Sequence, residues 1–400
     1  MIGIKKYFLH TLLSFIIPVI GLAQNTNTRR FIEPEIQLGK IVKTNSFFPK
    51  RTLQQRYRIN FGRIHYGDEK SWESFYSYPI SGISLSFNVL GNDTVFGKSY
   101  TALNYIELRP GRKIANSFSF RIGLGMSYFD TPFDKDNNPL NKAIGSSFAF
   151  SFQLIGYYNV YTSEKIVLRV GGGYLHSSNG HTVLPNFGLN SAAVSISAMF
   201  LQTSNSFLLT ETPVRHIPDY SKHFVVGFRQ GVGFHALGGT SGPIGGKIKP
   251  VYSTELSVGI IYRQYIKLYA GLTARYYQHY YNYITDNNIE GFYQQAHKNS
   301  TSTHAFVGVE FLMGHVAIDV QGGLTLYKPF YQTFDEIFQH SKKTDYLLKY
   351  FFPTRLGLKL YMKKTQFYPQ NNFFIGTNIS ANFGEADFWE FSLGYHRLIK

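Results

Sequence analysis

Apolar and polar residues alternate along most of the chain, and this is the period of β-strands. Between Phe118 and Tyr128, the apolar Phe118, Ile122 and Tyr128 fall on one face, whereas Arg121 and Ser127 fall on the other. The same alternation recurs at residues 57–61, 83–89, 148–154, 167–178, 190–200, 224–228, 256–262, 266–272, 307–311, 318–324, 356–360, 373–379 and 389–398. The pattern predicts an all-β protein.

The two faces of these strands suit a transmembrane antiparallel β-barrel of the outer-membrane type, with roughly 14–16 strands. Small residues and glycines lie on the polar face, and aromatic residues cluster at strand ends, as in the interfacial girdles of membrane barrels. A soluble β-sandwich also alternates, but it turns its apolar face inward. Because no linker or low-complexity run separates two domains, residues 24–400 are predicted to form a single barrel.

The connections are predicted to alternate between long outer loops and tight periplasmic turns, as in outer-membrane barrels. The predicted long loops are residues 129–145, 237–250, 282–302 and 328–349, with a short helix within 332–350. The predicted tight turns are residues 110–115, 160–164, 264–265 and 364–370. The connections 66–80 and 202–222 break this pattern.

The composition and the first residues indicate an exported barrel. Charged residues make up only 16% of the 400 residues and aromatic residues 17%, and the chain lacks the repeated apolar runs of a helical membrane protein. Two lysines precede an apolar run over residues 7–22, and Gly21 and Ala23 suit cleavage, so residues 1–23 are predicted to be a signal peptide. A retained anchor is the alternative. The absence of cysteine excludes lipoprotein anchoring, disulfides and thiol catalysis.

The formal net charge of +16 has two interpretations, which are contact with anionic lipid headgroups and binding of nucleic acid. No basic helix, zinc knuckle or RNA-binding signature accompanies the charge, and an exported chain rarely meets nucleic acid. The charge therefore favours a phosphate-rich membrane surface.

A nucleophile, a base and amide groups crowd together in one stretch, residues 167–200. Alternation from Leu168 puts His176 and Ser178 on the apolar face of one predicted strand, and Asn190 lies on the apolar face of the next. Polar side chains on a lipid-facing wall are costly without a purpose. Catalysis would explain these polar side chains, with Ser178 as the nucleophile, His176 as the base and Asn190 as the residue that orients the imidazole.

Each of these assignments has an alternative. A His-x-Ser pair at a strand end also suits a capped or girdle position without chemistry. Ser177 is a competing nucleophile on the lumen face, and His181 is a competing base in a predicted turn. Asn179 and Gly180 suit a left-handed turn, although an Asn amide beside a nucleophile can also donate to an oxyanion. Residues 185–188 are interpreted first as a loop.

The run from His176 to Gly180, followed by Pro-Asn-Phe-Gly-Leu-Asn-Ser at 185–191, resembles the signature of the outer-membrane lipid A 3-O-deacylases and their acyloxyacyl hydrolase-like relatives. Further similarity to the Bacteroidetes-type branch of this family lies at residues 72–82, 97–99, 132–134 and 138–141. The resemblance covers residues 55–200.

This resemblance implies an outer-membrane serine esterase that removes an ester-linked acyl chain from lipid A or another acylated lipid. Ser178 is then the nucleophile, His176 the base, and Asn179 with a backbone amide near Gly180 forms the oxyanion hole. No metal or organic cofactor and no nucleic acid partner is implied. The family has an acid where this chain has Asn190, and an amide lacks the negative charge that stabilises imidazolium, so slower chemistry is expected.

Two non-enzymatic alternatives remain open at this point. A channel or transporter would explain the length of the chain and a polar lumen face. The basic residues predicted to line that face are Arg121, Arg229, Lys267, Arg275 and Lys359. A degenerate member of the family would keep the fold and have lost turnover.

Overall fold

The computed structural model describes residues 28–45, 47–65, 71–110, 117–202 and 219–399, which form sixteen strands. The predicted signal peptide, residues 1–23, lies outside the described residues. The all-β class and the antiparallel outer-membrane barrel type predicted from the alternation are confirmed.

The first eight strands follow one another around a closed barrel. They are β1 (Thr28–Ile41), β2 (Gln54–His65), β3 (Ile80–Val89), β4 (Lys98–Leu108), β5 (Phe118–Phe129), β6 (Phe148–Thr162), β7 (Ile166–Ser178) and β8 (Leu189–Leu201). The barrel closes because β1 pairs with β8, from Phe31 opposite Leu201 to Ile41 opposite Ser191.

The remaining eight strands form a second closed barrel. They are β9 (Lys222–Ala236), β10 (Ile248–Tyr262), β11 (Ile266–Tyr277), β12 (Thr301–Met313), β13 (Val316–Tyr327), β14 (Pro353–Tyr361), β15 (Asn371–Asn382) and β16 (Glu385–Ile399). Here β9 pairs with β16, from Phe224 opposite Ile399 to Phe234 opposite Trp389.

The prediction of a single barrel over residues 24–400 was wrong, although the total of sixteen strands lies within the predicted range. Alternation determines which face of a strand is apolar, but it does not determine which distant strand closes the sheet. The connection 202–222, which broke the predicted loop pattern, falls between the last strand of the first barrel and the first strand of the second.

Short helices occupy several connections between the strands. They are α1 (Trp72–Phe75), α2 (Gln278–Asp286), α3 (Ala296–Asn299), α4 (Tyr331–Phe334) and α5 (Lys343–Phe351), with 3₁₀ turns at Tyr293–Gln295 and Thr365–Phe367 and a π turn at Asp335–Gln339. The helix predicted within 332–350 is therefore present as three short pieces. None of the helices in the described residues is long and apolar enough to cross a membrane.

Contacts divide the chain into two compact units. Among the described residues, the first contains those within 28–131, 150–177 and 189–202, and the second contains those within 132–149, 178–188 and 219–399. The second barrel therefore shares its unit with two connections of the first barrel, β5–β6 and β7–β8.

Side chains with compensated charges fill the lumen of the first barrel. Arg121 contacts Glu33 at 2.7 Å and Glu107 at 2.9 Å, and Arg169 contacts Glu33 at 3.0 Å. All four residues are fully buried, and the Arg121 guanidinium also lies over the ring of Tyr105. An eight-stranded barrel has an interior just wide enough for such side chains, so this lumen is a packed core.

The lumen of the second barrel is packed in the same way. Arg229 contacts Glu390 at 2.6 Å, and Lys359 contacts Glu310 at 2.7 Å. The predicted lumen positions of Arg121, Arg229, Lys267, Arg275 and Lys359 are all buried. Their charges are used in internal ion pairs and do not line an open passage.

Candidate active site

The site begins with the antiparallel pairing of β7 and β8, which puts His176 directly opposite Asn190. His176 Nδ1 lies 2.6 Å from Asn190 Oδ1. An amide oxygen only accepts hydrogen bonds, so Nδ1 carries the proton and donates it. The neutral imidazole then has its lone pair on Nε2, the nitrogen that a general base needs.

Tyr174 is a further member of this cluster that the sequence interpretation missed. Its hydroxyl donates a short hydrogen bond to Asn190 Oδ1, so one amide oxygen accepts from both Tyr174 and His176. The signal was available in the alternation, because Tyr174 lies two positions before His176 on the same face of β7. Two donors hold the Asn190 amide in one orientation.

The strand pair around this cluster presents apolar side chains on its outer face. Val194 and Ile196 of β8 are 65% and 71% exposed, whereas Arg169 of β7 is buried in the lumen. Large apolar side chains exposed in a row are typical of the lipid-contacting wall of a membrane barrel. Tyr174, itself 40% exposed, lies on this wall.

Ser177, the competing nucleophile, faces the lumen as alternation predicted. Its Oγ lies 2.7 Å from Ser151 Oγ, which in turn lies 2.6 Å from Ser127 Oγ. The Ser127 hydroxyl continues this chain to Thr101 at 2.6 Å. The Ser177 hydroxyl therefore belongs to a row of hydroxyls inside the barrel, across β4, β5, β6 and β7.

Ser178, the last residue of β7, is buried with 4% exposure. Its Oγ accepts a hydrogen bond from Asn186 Nδ2 at 2.8 Å and from the Gly180 backbone N–H at 3.3 Å. Asn186 was in the stretch interpreted as a loop, and its contact with Ser178 was not predicted. Alternation carries no information on it, because residues 179–188 belong to no strand.

Asn179 connects the two ends of this turn. Its side-chain Nδ2 donates to the carbonyl of Val183 at 2.7 Å, and its Oδ1 accepts from the backbone N–H of Thr182 at 3.2 Å. Its own backbone N–H donates to Asn186 Oδ1 at 3.3 Å. An amide nitrogen has two N–H groups, and the contact with Val183 uses one of them.

His181, the competing base, is committed elsewhere. Its backbone has the left-handed conformation with φ of 66°, and its Nε2 lies 2.9 Å from the carbonyl oxygen of Gly238. Since a carbonyl only accepts, Nε2 is the protonated nitrogen. Burial lowers the pKa of His181, so the ring is held neutral in this contact.

The described residues place the predicted site residues in two groups. His176 is joined to Asn190, and Ser178 is joined to Gly180 and, through Asn186, to Asn179. His176 and Ser178 lie two positions apart on β7 and belong to different compact units. Within the described part of the chain, no three His, Asp or Glu side chains form a group suited to a metal ion.

The fold defines a transmembrane β-barrel protein of the outer-membrane type, and its strand pair β7–β8 carries a histidine–asparagine pair next to a serine. Residues 58–198 match the family model of the lipid A 3-O-deacylases (PagL), which confirms the predicted resemblance to this family for that part of the first barrel. The match ends within β8, and the second barrel lies outside it. Deacylases of this family are hydrolases of lipid A.

Solved structures of other membrane barrels are also similar to the chain. The crystal structure of the outer membrane enzyme PagL has 12% identity and a TM-score of 0.30, with 41% of this chain and 97% of that chain covered. The outer membrane protein opdK from Pseudomonas aeruginosa has 9% identity and a TM-score of 0.21, with 93% and 99% covered. CdiB from Acinetobacter baumannii has 9% identity and a TM-score of 0.17, with 94% and 60% covered. No curated protein matches the chain.

Proposed function

We propose that the first barrel is a serine esterase of the outer membrane that removes an ester-linked acyl chain from lipid A. The observation that carries this proposal is the 2.6 Å hydrogen bond between His176 Nδ1 and Asn190 Oδ1, in a segment that matches the lipid A 3-O-deacylase family model. This bond selects the histidine tautomer whose Nε2 can accept a proton. Ser178 follows two positions later on the same strand, and alternation gives the two residues a common face.

In the proposed mechanism, Ser178 Oγ attacks the ester carbonyl while His176 Nε2 takes its proton. His176 then returns the proton to the departing sugar oxygen, and a water molecule activated by the same histidine releases the fatty acid. Asn190 holds the imidazole in place through both steps. The exposed apolar side chains of β7 and β8 form the proposed lipid-contacting wall, so the acyl chain is expected to approach this end of β7 from the membrane.

The negative charge on the carbonyl oxygen requires donors near Ser178. The Gly180 backbone N–H already lies 3.3 Å from Ser178 Oγ, and Asn179 Nδ2 has a second N–H beyond the one given to Val183. These two groups are the proposed oxyanion hole, and removal of one such donor typically costs about 100-fold to 1,000-fold in kcat. Glycine adopts the φ of 65° at position 180 without the strain that a Cβ would add.

Asn190 makes this a slow member of its family. An amide orients His176 but adds no negative charge beside the imidazolium that forms during the reaction. The hydrogen-bond partner of His176 Nδ1 is this amide and not a carboxylate. A degenerate barrel that has lost turnover is the second candidate, and the same observation favours it.

The channel alternative has less support. Buried ion pairs fill the lumen of both barrels over the described residues, as with Arg121–Glu33 in the first and Arg229–Glu390 in the second. The proposed location in the outer membrane follows from the barrel type, and export through a signal peptide at residues 1–23 remains part of the proposal. The expected partners are lipid A or another acylated lipid, with no metal, organic cofactor or nucleic acid.

Mass spectrometry of lipid A from cells that express the protein tests the function. Ser178→Ala should abolish the loss of the acyl chain that the wild-type protein causes. Ser177→Ala is a matched control, because it removes a neighbouring hydroxyl that bonds to Ser151 in the lumen, and it should leave deacylation intact. Identical lipid A from wild-type and Ser178→Ala cells, at equal levels of folded protein, would exclude the enzyme and favour the degenerate barrel.

A further inference from the structure

The connection that carries Ser178 packs with the second barrel. Residues 178–188 belong to the same compact unit as residues 217–400, although they continue directly from β7 of the first barrel. The family match covers residues 58–198, which include this connection, whereas residues 217–400 lie outside the match.

Three hydrogen bonds join this connection to the end of β9 and the loop after it. The backbone N–H of Ala236 donates to the carbonyl of His181 at 2.9 Å, and His181 Nε2 donates to the carbonyl of Gly238 at 2.9 Å. The backbone N–H of Asn186 donates to the carbonyl of Thr240 at 2.8 Å. The connection is therefore bound near both of its ends.

A stack of three imidazoles lies at the same contact. The ring of His181 lies on that of His235 in β9, with centroids 4.4 Å apart, and His235 lies on His279 in α2, with centroids 4.3 Å apart. All three side chains are buried, and His235 Nε2 lies 3.5 Å from Asp387 of β16. The middle ring, that of His235, therefore lies between His181 of the Ser178 connection and Asp387 of β16.

These contacts reach the proposed nucleophile through one residue. Asn186 is bound to Thr240 by its backbone and to Ser178 Oγ by its side-chain amide, at 2.8 Å in each case. A nucleophile must be held within about 0.5 Å of its working position, and small displacements are costly in rate. A shift of the β9–β10 loop would move Asn186 and, with it, the hydroxyl of Ser178.

We propose that β9 and the β9–β10 loop of the second barrel position the Ser178 connection for deacylation, with His235 and Gly238 as the positioning residues. This inference rests on the proposed function of Ser178. It assigns a role to the half of the chain that the family match does not cover. The second barrel then contributes to kcat without contacting the substrate.

Gly238→Ala and Gly246→Ala test the inference as a matched pair within one loop. A Cβ at Gly238, where φ is 144°, would lie 2.5 Å from both the carbonyl oxygen of Gly242 and Pro243 Cδ in its own loop, and 2.8 Å from Leu184 Cδ1 in the Ser178 connection. A Cβ at Gly246 would have its nearest neighbour at 3.6 Å, which is ordinary contact. Gly238→Ala should therefore shift the β9–β10 loop and, through its hydrogen bonds to His181 and Asn186, residues 178–188, whereas Gly246→Ala should not.

The expected result is a fall in kcat of at least about tenfold for lipid A in detergent micelles in Gly238→Ala, with KM within about twofold of wild type. Hydrogen exchange of residues 178–188 should accelerate in the same variant, while exchange of residues 166–176 stays unchanged. Equal kcat and equal exchange in folded Gly238→Ala and Gly246→Ala would overturn the positioning role.

A second pair decides the question if Gly238→Ala does not fold. His235→Phe keeps a flat ring between His181 and His279, whereas His235→Leu removes it. His235→Leu should lose kcat and His235→Phe should recover most of it, and wild-type kcat in both would overturn the inference. Wild-type cleavage by Ser178→Ala would instead reject the proposed function, and the positioning role with it.

Discussion

Asn190 Oδ1 lies 2.6 Å from His176 Nδ1 and accepts a hydrogen bond from it, at a position where the resemblance to the lipid A 3-O-deacylases predicts an acid. The geometry for orienting the imidazole is therefore present without the charge. Orientation and charge contribute separately to catalysis by a histidine base, because one selects the tautomer and the other stabilises the imidazolium. This chain allows the two contributions to be measured apart.

Replacement of Asn190 by Asp adds the charge at nearly unchanged geometry. We expect Asn190→Asp and the longer Asn190→Glu to match or exceed wild-type kcat, since a carboxylate at 2.6 Å stabilises the imidazolium. Asn190→Ala should lose at least about tenfold, because His176 is then free to rotate or change tautomer. Steady-state release of fatty acid from lipid A measures both effects. Full activity in Asn190→Ala would show that the amide does not orient the base.

Asn186 offers a test of how Ser178 is held. Asn186→Asp keeps an acceptor for the backbone N–H of Asn179 but removes the N–H that donates to Ser178 Oγ. We expect kcat to fall about tenfold to 100-fold, because the donor no longer holds the nucleophile. Thr182→Val is a control in the same turn, since it removes a hydroxyl that bonds only to the Asn179 carbonyl among the contacts described. Equal losses in the two variants would indicate a general loosening of the turn.

The strands and the faces of the site residues could be predicted from the sequence, and the closure of the sheet could not. Alternation is a local property, so it put Ser177 in the lumen and His176 on the wall next to Asn190. The pairing of β1 with β8 depends on residues more than 100 positions apart, and no local pattern encodes it. For the same reason the contact of His181 with Gly238, which are 57 positions apart, was invisible in the sequence.

The buried ion pairs of the first lumen should be important for stability. Arg169→Met leaves the carboxylates of Glu33 and Glu107 with less compensation in a dry interior, and we expect a loss of about 3 kcal/mol or more in the free energy of unfolding. Urea titration in detergent micelles measures this difference. Lys135→Ala removes a 4.0 Å pair with Asp136 in which both side chains are 74% exposed, and it should leave the midpoint unchanged.

The packed lumens predict that the protein does not conduct ions. Wild-type protein reconstituted in a planar bilayer should give no steady open-channel current, because eight-stranded barrels filled with side chains have no aqueous passage. An open porin, with 16 or more strands, serves as the positive control. A stable single-channel conductance from wild-type protein would revive the channel alternative.

The histidines beside the Ser178 connection predict that stability falls in mild acid. Burial lowers the pKa of His181, and burial, assisted by the nearby His181, lowers the pKa of His279 to about 3. His235 stacks on His181. The carboxylates of Glu385 and Asp387 raise the pKa of His181, and the ammonium of Lys349 lowers it, but the effect of burial is larger. The remaining groups packed on His279 are His235, Tyr277 and Tyr280.

Both rings are neutral in the folded protein at a pH where the unfolded chain already binds protons, since an unperturbed histidine has a pKa of about 6.5. The unfolded state therefore binds more protons below this pH, and stability is retained above it and lost as the pH falls towards the folded pKa values. Each such histidine contributes up to about 1.4 kcal/mol per pH unit in this window.

Urea titrations between pH 7.5 and pH 4.5 should show this loss in the wild-type protein. His279→Phe keeps a ring in the stack but cannot bind a proton, so its free energy of unfolding should fall less steeply over the same range. The difference between the two slopes isolates the contribution of His279 from that of the many carboxylates. Parallel slopes would mean that His279 is not held neutral in the folded protein.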